Sequence, residues 1–143
     1  FLFLYICVGL APRAVPADAR QVSLLNPVVE ARFPGSRLAA LDIFTGALPE
    51  AAAVIKCANV LNKAYFTPER MKPAIANLLG SLREGGWLLI SQSNPGYEAG
   101  EAYIALRRRG GKFLLAEELN GHELLADLRS PLYADLVLPG DAP

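Results

Sequence analysis

Residues 53–66 read AVIKCANVLNKAYF. The run opens apolar with Ala53-Val54-Ile55, takes one charge at Lys56 and resumes with Cys57-Ala58. It then breaks at Asn59 into a segment holding a second amide, Asn62, and the pair Tyr65-Phe66. A short β-branched run that stops abruptly at polar residues predicts a buried strand whose carboxyl end opens into a loop. In open α/β sheets ligands gather at that edge, so the chemistry is expected there.

The chain downstream completes a unit. Thr67-Pro68 starts a helix: a threonine caps free backbone N–H groups and a proline suits the first turn. Met71, Ile75, Leu78, Leu79 and Leu82 then fall on one helical face. Pro73 deletes an interior hydrogen bond, which predicts a kink or a first turn that is not α-helical. Gly85-Gly86 is expected to end the helix in a left-handed cap, and residues 87–90 follow as an apolar strand. A crossover of this length makes the two strands parallel. Asn94-Pro95-Gly96 marks a turn. Residues 102–106 and 112–116 flank Gly110-Gly111 and read as an antiparallel hairpin at the sheet's edge. Residues 123–128 predict a short helix, and 129–143, with Pro131, Pro139 and Pro143, an irregular tail.

Upstream, residues 37–43 read as another strand, closed by Asp42-Ile43. Asn26-Pro27 starts a short helix over 28–33 that ends at Pro34-Gly35. Residues 1–5 read as a strand, 9–19 as a loop punctuated by Pro12 and Pro16, and 21–25 as a second apolar run. Three segments result: a strand-and-loop portion over 1–37, an α/β unit over 38–128 and the tail.

The 143 residues suffice for one domain, and 52% of them are hydrophobic. Fourteen basic residues balance fourteen acidic ones, which gives no electrostatic reason to expect nucleic acid or an anionic membrane as partner. Arg107-Arg108-Arg109 beside two glycines reads as a solvated hairpin tip. Cys7 and Cys57 make no disulfide framework, and a single histidine, His122, argues against a zinc site; no metal is expected and a reducing cytoplasm is. The apolar opening, residues 1–10, is too short to span a bilayer, which takes about 20 residues. It reads as a strand or as the end of a signal peptide, the strand being preferred. A chain that opens on Phe1 inside an apolar run is expected to be the remainder of a longer protein.

The order of elements and the phrase CANVLNKAYFTPERMKPAIANLLGSLREGG resemble the carboxyl-terminal half of class I S-adenosylmethionine-dependent methyltransferases, the chemotaxis-receptor type and its relatives among them. The resemblance covers roughly residues 38–117. SLREGGWLLI is common across that superfamily and bears on fold more than chemistry; the match over 57–66 is more specific. It implies a partial Rossmann-like α/β sheet with parallel central strands and an antiparallel carboxyl-terminal hairpin. Residues 1–37 then become an insertion between the family's second and third strands. It implies S-adenosylmethionine as cofactor, with Asp42 accepting from the adenine amine, the backbone N–H of Ile43 meeting a ring nitrogen, and Ala58 and Asn59 lining the methionine part. Asn62 and Tyr65 would face the methyl acceptor. Asp42 and Asn59 would share a rim formed by two neighbouring parallel strands. Each has a structural alternative: Asp42 capping its own turn, Asn59 satisfying a loop backbone. Tyr65 and Phe66 are alternatively core aromatics.

The departures are as informative. The superfamily's glycine-rich turn after its first strand has no counterpart here, and neither does the acid that grips the ribose. Ala58 stands where chemotaxis-type relatives carry arginine, and Tyr65 comes later than in those relatives. No Ser-His-Asp or Cys-His constellation appears, and no catalytic residue is assigned. The expectation is therefore a methyltransferase fragment, inactive by itself, that self-associates through an exposed sheet edge. A non-catalytic interaction module of the same fold and another nucleotide-binding α/β enzyme remain the alternatives; the absent G-x-G-x-x-G weighs on the last.

Overall fold

The computed structural model describes residues 27–36 and 40–139. The readings for residues 1–5, 9–19, 21–25, Asn26 and the start of 37–43 lie outside them.

Strand β1 (Ala52–Ala58), helix α2 (Pro68–Gly80) and strand β2 (Leu82–Ser93) form the expected crossover, following a short helix α1 (Pro27–Arg32). Strands β3 (Glu101–Arg109) and β4 (Lys112–Leu119) follow, then a one-turn helix α3 (Leu125–Leu128). The four strands lie in chain order in one mixed sheet: β1 and β2 are parallel, while β2–β3 and β3–β4 are antiparallel. The β3–β4 turn is made by Gly110 and Gly111, both at positive φ (59° and 76°), as a tight hairpin of this twist requires.

One face of the sheet is buried by period-2 alternation. Ile55 and Cys57 pair with Leu88 and Ile90, and Ile90 with Ile104; all are buried beneath α2, which contributes Met71, Ala74, Ile75, Leu78 and Leu79. Each buried Ile, Leu or Met among them contributes about 1.5–3 kcal/mol. The helix starts as its sequence dictates: Thr67 Oγ1 accepts from the Arg70 N–H at 3.4 Å and Pro68 takes the first position. It runs through Pro73 without interruption. The carbonyl that Pro73 leaves unbonded belongs to Glu69, in the exposed first turn, where water can satisfy it.

Three expectations are corrected. First, α2 ends at Gly80, not at Gly85-Gly86; Ser81 closes it, its N–H and hydroxyl both donating to Asn77 O (3.0 and 2.7 Å). The two glycines lie inside β2, where the register jumps from Ala52↔Leu82 to Val54↔Trp87. Gly85 turns the bulge at φ 74°, and Gly86 passes so close to the Arg83, Ala52 and Ala53 carbonyls that a Cβ would lie 2.9–3.2 Å from them. Second, Asp42 does not close a strand. Residues 40–42 are unpaired, and a turn follows because Asp42 Oδ1 accepts from the Phe44 N–H (2.9 Å) and Asp42 O from the Gly46 N–H (2.9 Å). Third, β1 is buried on one face only. Val54 is 51% exposed and Lys56 and Ala58 are exposed, because no described element covers that side. After α3, residues 129–139 pack back onto the domain. Tyr133 is fully buried with its hydroxyl on Pro68 O (2.7 Å), and Phe113 exchanges backbone bonds with Leu136 O and the Leu138 N–H (2.7 Å each).

Candidate site at the carboxyl ends of β1 and β2

β1 ends where Asn59 turns the chain at φ 57°, a left-handed conformation that asparagine tolerates better than most residues. The backbone N–H of Asn59 still donates to Ser91 O at 2.8 Å, so the parallel pairing holds to the last residue. The Asn59 side chain then crosses to β2: Oδ1 accepts from the Ser93 N–H at 2.8 Å and Nδ2 donates to Ser93 Oγ at 3.4 Å. The amide thus splices the ends of two strands. It keeps one lone pair and one hydrogen for another partner.

The loop beyond is stiffened twice. Asn62 Oδ1 accepts from the Ala64 N–H (2.7 Å) while Asn62 O accepts from Tyr65 and Phe66, which makes a turn of residues 62–66. Lys63 straps this turn to α3 and the residues before it: its N–H donates to Glu123 Oε1 at 2.6 Å and its Nζ to Asp127 Oδ2 at 2.8 Å. Tyr65 projects outward, 75% exposed, and is no core aromatic. Phe66 packs inward on Phe44 with ring centroids 4.8 Å apart, and the Arg70 guanidinium lies over Phe44 at 5.3 Å.

That ring pair links the two halves of the anticipated rim. Asp42 and Asn59 do not stand on neighbouring strands. Asp42 lies on an exposed turn held against α2, where Asn77 Nδ2 donates to Ile43 O (2.8 Å) and the Ile43 side chain is buried. Ala58 and Asn59 are exposed at the strand end, and Asn62 and Tyr65 share the loop that follows.

Two groups missed by the reading of the sequence hold this rim. Ser93 is the partner of Asn59; its place at the end of a strand parallel to β1 was the available signal. Glu123 and Asp127 bind Lys63 from sixty and more residues away, and nothing local announced them. Cys57, beneath the rim, is inert: burial pushes its thiol up to about 11, against a smaller opposing pull from a backbone hydrogen bond at Leu61. His122 is buried nearby in sequence to Glu123, and burial holds its imidazole below the ordinary value. The rim therefore offers amide, hydroxyl and carboxylate hydrogen-bonding groups and an exposed phenol, but no activated nucleophile among the described residues. Among those residues no helix is long and apolar enough to cross a membrane.

No protein-family model and no curated protein matches the chain. Among solved structures, it is similar to S-adenosylmethionine-bound CalS10, an amino pentose methyltransferase from Micromonospora echinaspora involved in calicheamicin biosynthesis. The likeness has a TM-score of 0.36 and 23% identity over 59% of this chain. The chain spans 42% of the length of that protein. The resemblance to a methyltransferase is distant and partial. The mixed α/β sheet stands on its own strand pairing.

Proposed function

We propose that the chain is the carboxyl-terminal part of a class I S-adenosylmethionine-dependent methyltransferase with a Rossmann-like sheet, acting on an acceptor the sequence does not name. One observation carries the reading: the parallel β1–α2–β2 unit ends in a rim built by Asn59 and Ser93, at the edge where the sequence resemblance places the cofactor. In this reading the residues supply one wall of such a site. The Asp42 carboxylate keeps Oδ2 for the adenine amine, the Ile43 N–H is at hand for a ring nitrogen, and Ala58 adds no bulk beside Asn59. The bound sulfonium supplies the electrophilic methyl group. This chain's residues contribute positioning, with Asn62 and exposed Tyr65 on the acceptor side; proximity and alignment provide much of the rate in a displacement of this kind. A cytoplasmic location belongs to the same reading.

A non-catalytic module is the second reading. It is favoured by the commitment of Asp42 Oδ1 and the Asn59 amide to structural hydrogen bonds.

Calorimetry separates the two. The chain as given is expected to bind S-adenosylmethionine negligibly, because its sequence carries no glycine-rich turn. A longer polypeptide that adds such a turn upstream is expected to bind, and Asp42→Ala within it to weaken binding by about 1–3 kcal/mol. Failure of the longer protein to bind removes the methyltransferase reading. Unchanged affinity in the Asp42 variant leaves that residue its turn alone.

A further inference from the structure

We propose that His122 is a proton-operated latch for the rim loop, residues 59–66. The side chain is buried to 1% exposure in the turn after β4, between Gly121 and the Lys63-binding residue Glu123. The turn is anchored from outside: Asn120, at φ 56°, donates from Nδ2 to the carbonyls of Glu98 and Glu101 (2.8 Å each), and Gly121 follows at φ 59°. Within it, the Leu124 N–H donates to His122 Nδ1 at 3.2 Å. That bond requires a bare Nδ1, so the ring's hydrogen sits on Nε2, which is buried without a hydrogen-bond partner.

A second proton has one place to go, and it converts Nδ1 from acceptor to donor. Two N–H groups then face each other across 3.2 Å, and a cation occupies a buried seat. Relief comes from moving residues 122–124, which carry Glu123 and hence the carboxylate that holds the Lys63 N–H at 2.6 Å. Charged groups stand on the elements packed here: Glu98 and Glu101, whose carbonyls Asn120 holds, and Glu123, Lys63 and Asp127. Glu123 favours the proton by its field, while Lys63 and Asp127 are paired at 2.8 Å on the loop and on α3. Burial outweighs Glu123, so the latch is closed at neutral pH and opens in mild acid. Opening releases one of the two bonds that strap Lys63, and so loosens the loop that bears Asn62 and Tyr65.

As the chain's single histidine, His122 is a clean reporter. Its Cε1–H resonance and the amide resonances of Leu124 and Lys63 are followed by NMR from about pH 7.5 to about pH 5, across the imidazole range. One shared midpoint, below the ordinary histidine value, is expected. In Glu123→Gln, which keeps an oxygen acceptor but removes the carboxylate's own titration, the Lys63 amide is still expected to follow His122. In His122→Gln the Lys63 amide is expected to stay flat over this range. A Lys63 amide that ignores the His122 titration in the native chain or in Glu123→Gln overturns the latch. So does one that titrates unchanged in His122→Gln. If His122→Gln fails to fold, the Glu123→Gln titration decides alone.

Discussion

Asn59 and Ser93 clasp each other at the carboxyl ends of two parallel strands, the amide oxygen of Asn59 accepting from the Ser93 N–H at 2.8 Å and its nitrogen reaching the Ser93 hydroxyl at 3.4 Å. The clasp sits on a left-handed residue, so Asn59 contributes twice: by its backbone conformation and by its side chain. Replacing it separates the two. Asn59→Ala loses the clasp and strains φ, and is expected to cost about 2–3 kcal/mol in urea denaturation. Asn59→Gly loses the clasp but relaxes φ, and is expected to cost less. An alanine variant no worse than the glycine one removes the strain argument.

Gly86 and the backbone of β1 come closer than any side chain allows. A Cβ there meets three carbonyl oxygens at 2.9–3.2 Å, all of them backbone. Gly86→Ala must open the β1–β2 bulge and is expected to cost about 2 kcal/mol or more, within the range for overpacked sites. Gly80→Ala, with open space around its Cβ, is the control and is expected to be neutral or better.

Arg108, on β3, closes the end of α2. Its Nη1 donates to the Leu79 carbonyl at 2.9 Å and also to that of Leu82, with Glu84 3.7 Å from Nε. Arg108→Met leaves these carbonyls unpaired and is expected to lower stability by about 1.5–3 kcal/mol. Both bonds come from one nitrogen, so lysine should rescue in part, limited by its shorter reach and its strongly hydrated ammonium. Full rescue by lysine speaks for charge alone.

The stability of the fold is expected to fall in mild acid. His122 has its folded-state value lowered by burial, so the unfolded chain binds the proton more readily. The stabilisation is complete above the ordinary imidazole value, about 6.5, and is lost as pH falls through the lowered folded value. Urea midpoints at about pH 7.5 and about pH 5 measure it, and the loss should shrink in His122→Gln.

Cys57 is expected to resist thiol reagents at about pH 8, since burial leaves almost no thiolate there. In a Cys7→Ser background, disulfide exchange should be silent natively and complete in denaturant. Rapid native labelling contradicts the burial.

The outer edge of β1 has no partner strand among the described residues, and Val54 beside it is half exposed. Such an edge invites pairing with another chain. Light scattering is expected to show self-association, reduced by Val54→Lys. A monodisperse chain with a cooperative melt argues against an open edge.

The sequence by itself determined the local elements. A β-branched run stopping at polar residues placed β1, the 3.6-residue stripe and Thr67-Pro68 placed α2, and Gly110-Gly111 placed the hairpin turn, because each depends on neighbours in the chain. It also located the rim at Asn59, where apolar residues give way to amides. Only the tertiary structure decided what those residues touch. Asp42 forms a turn where a strand was expected, its carboxylate holding the Phe44 N–H at 2.9 Å. Gly85-Gly86 serves a bulge against β1, a demand that exists only once two strands lie side by side. Glu123 and Asp127 meet Lys63 across sixty residues, and Ser93 meets Asn59 across thirty-four. Such contacts are set by how the sheet folds back on itself, which no local pattern encodes.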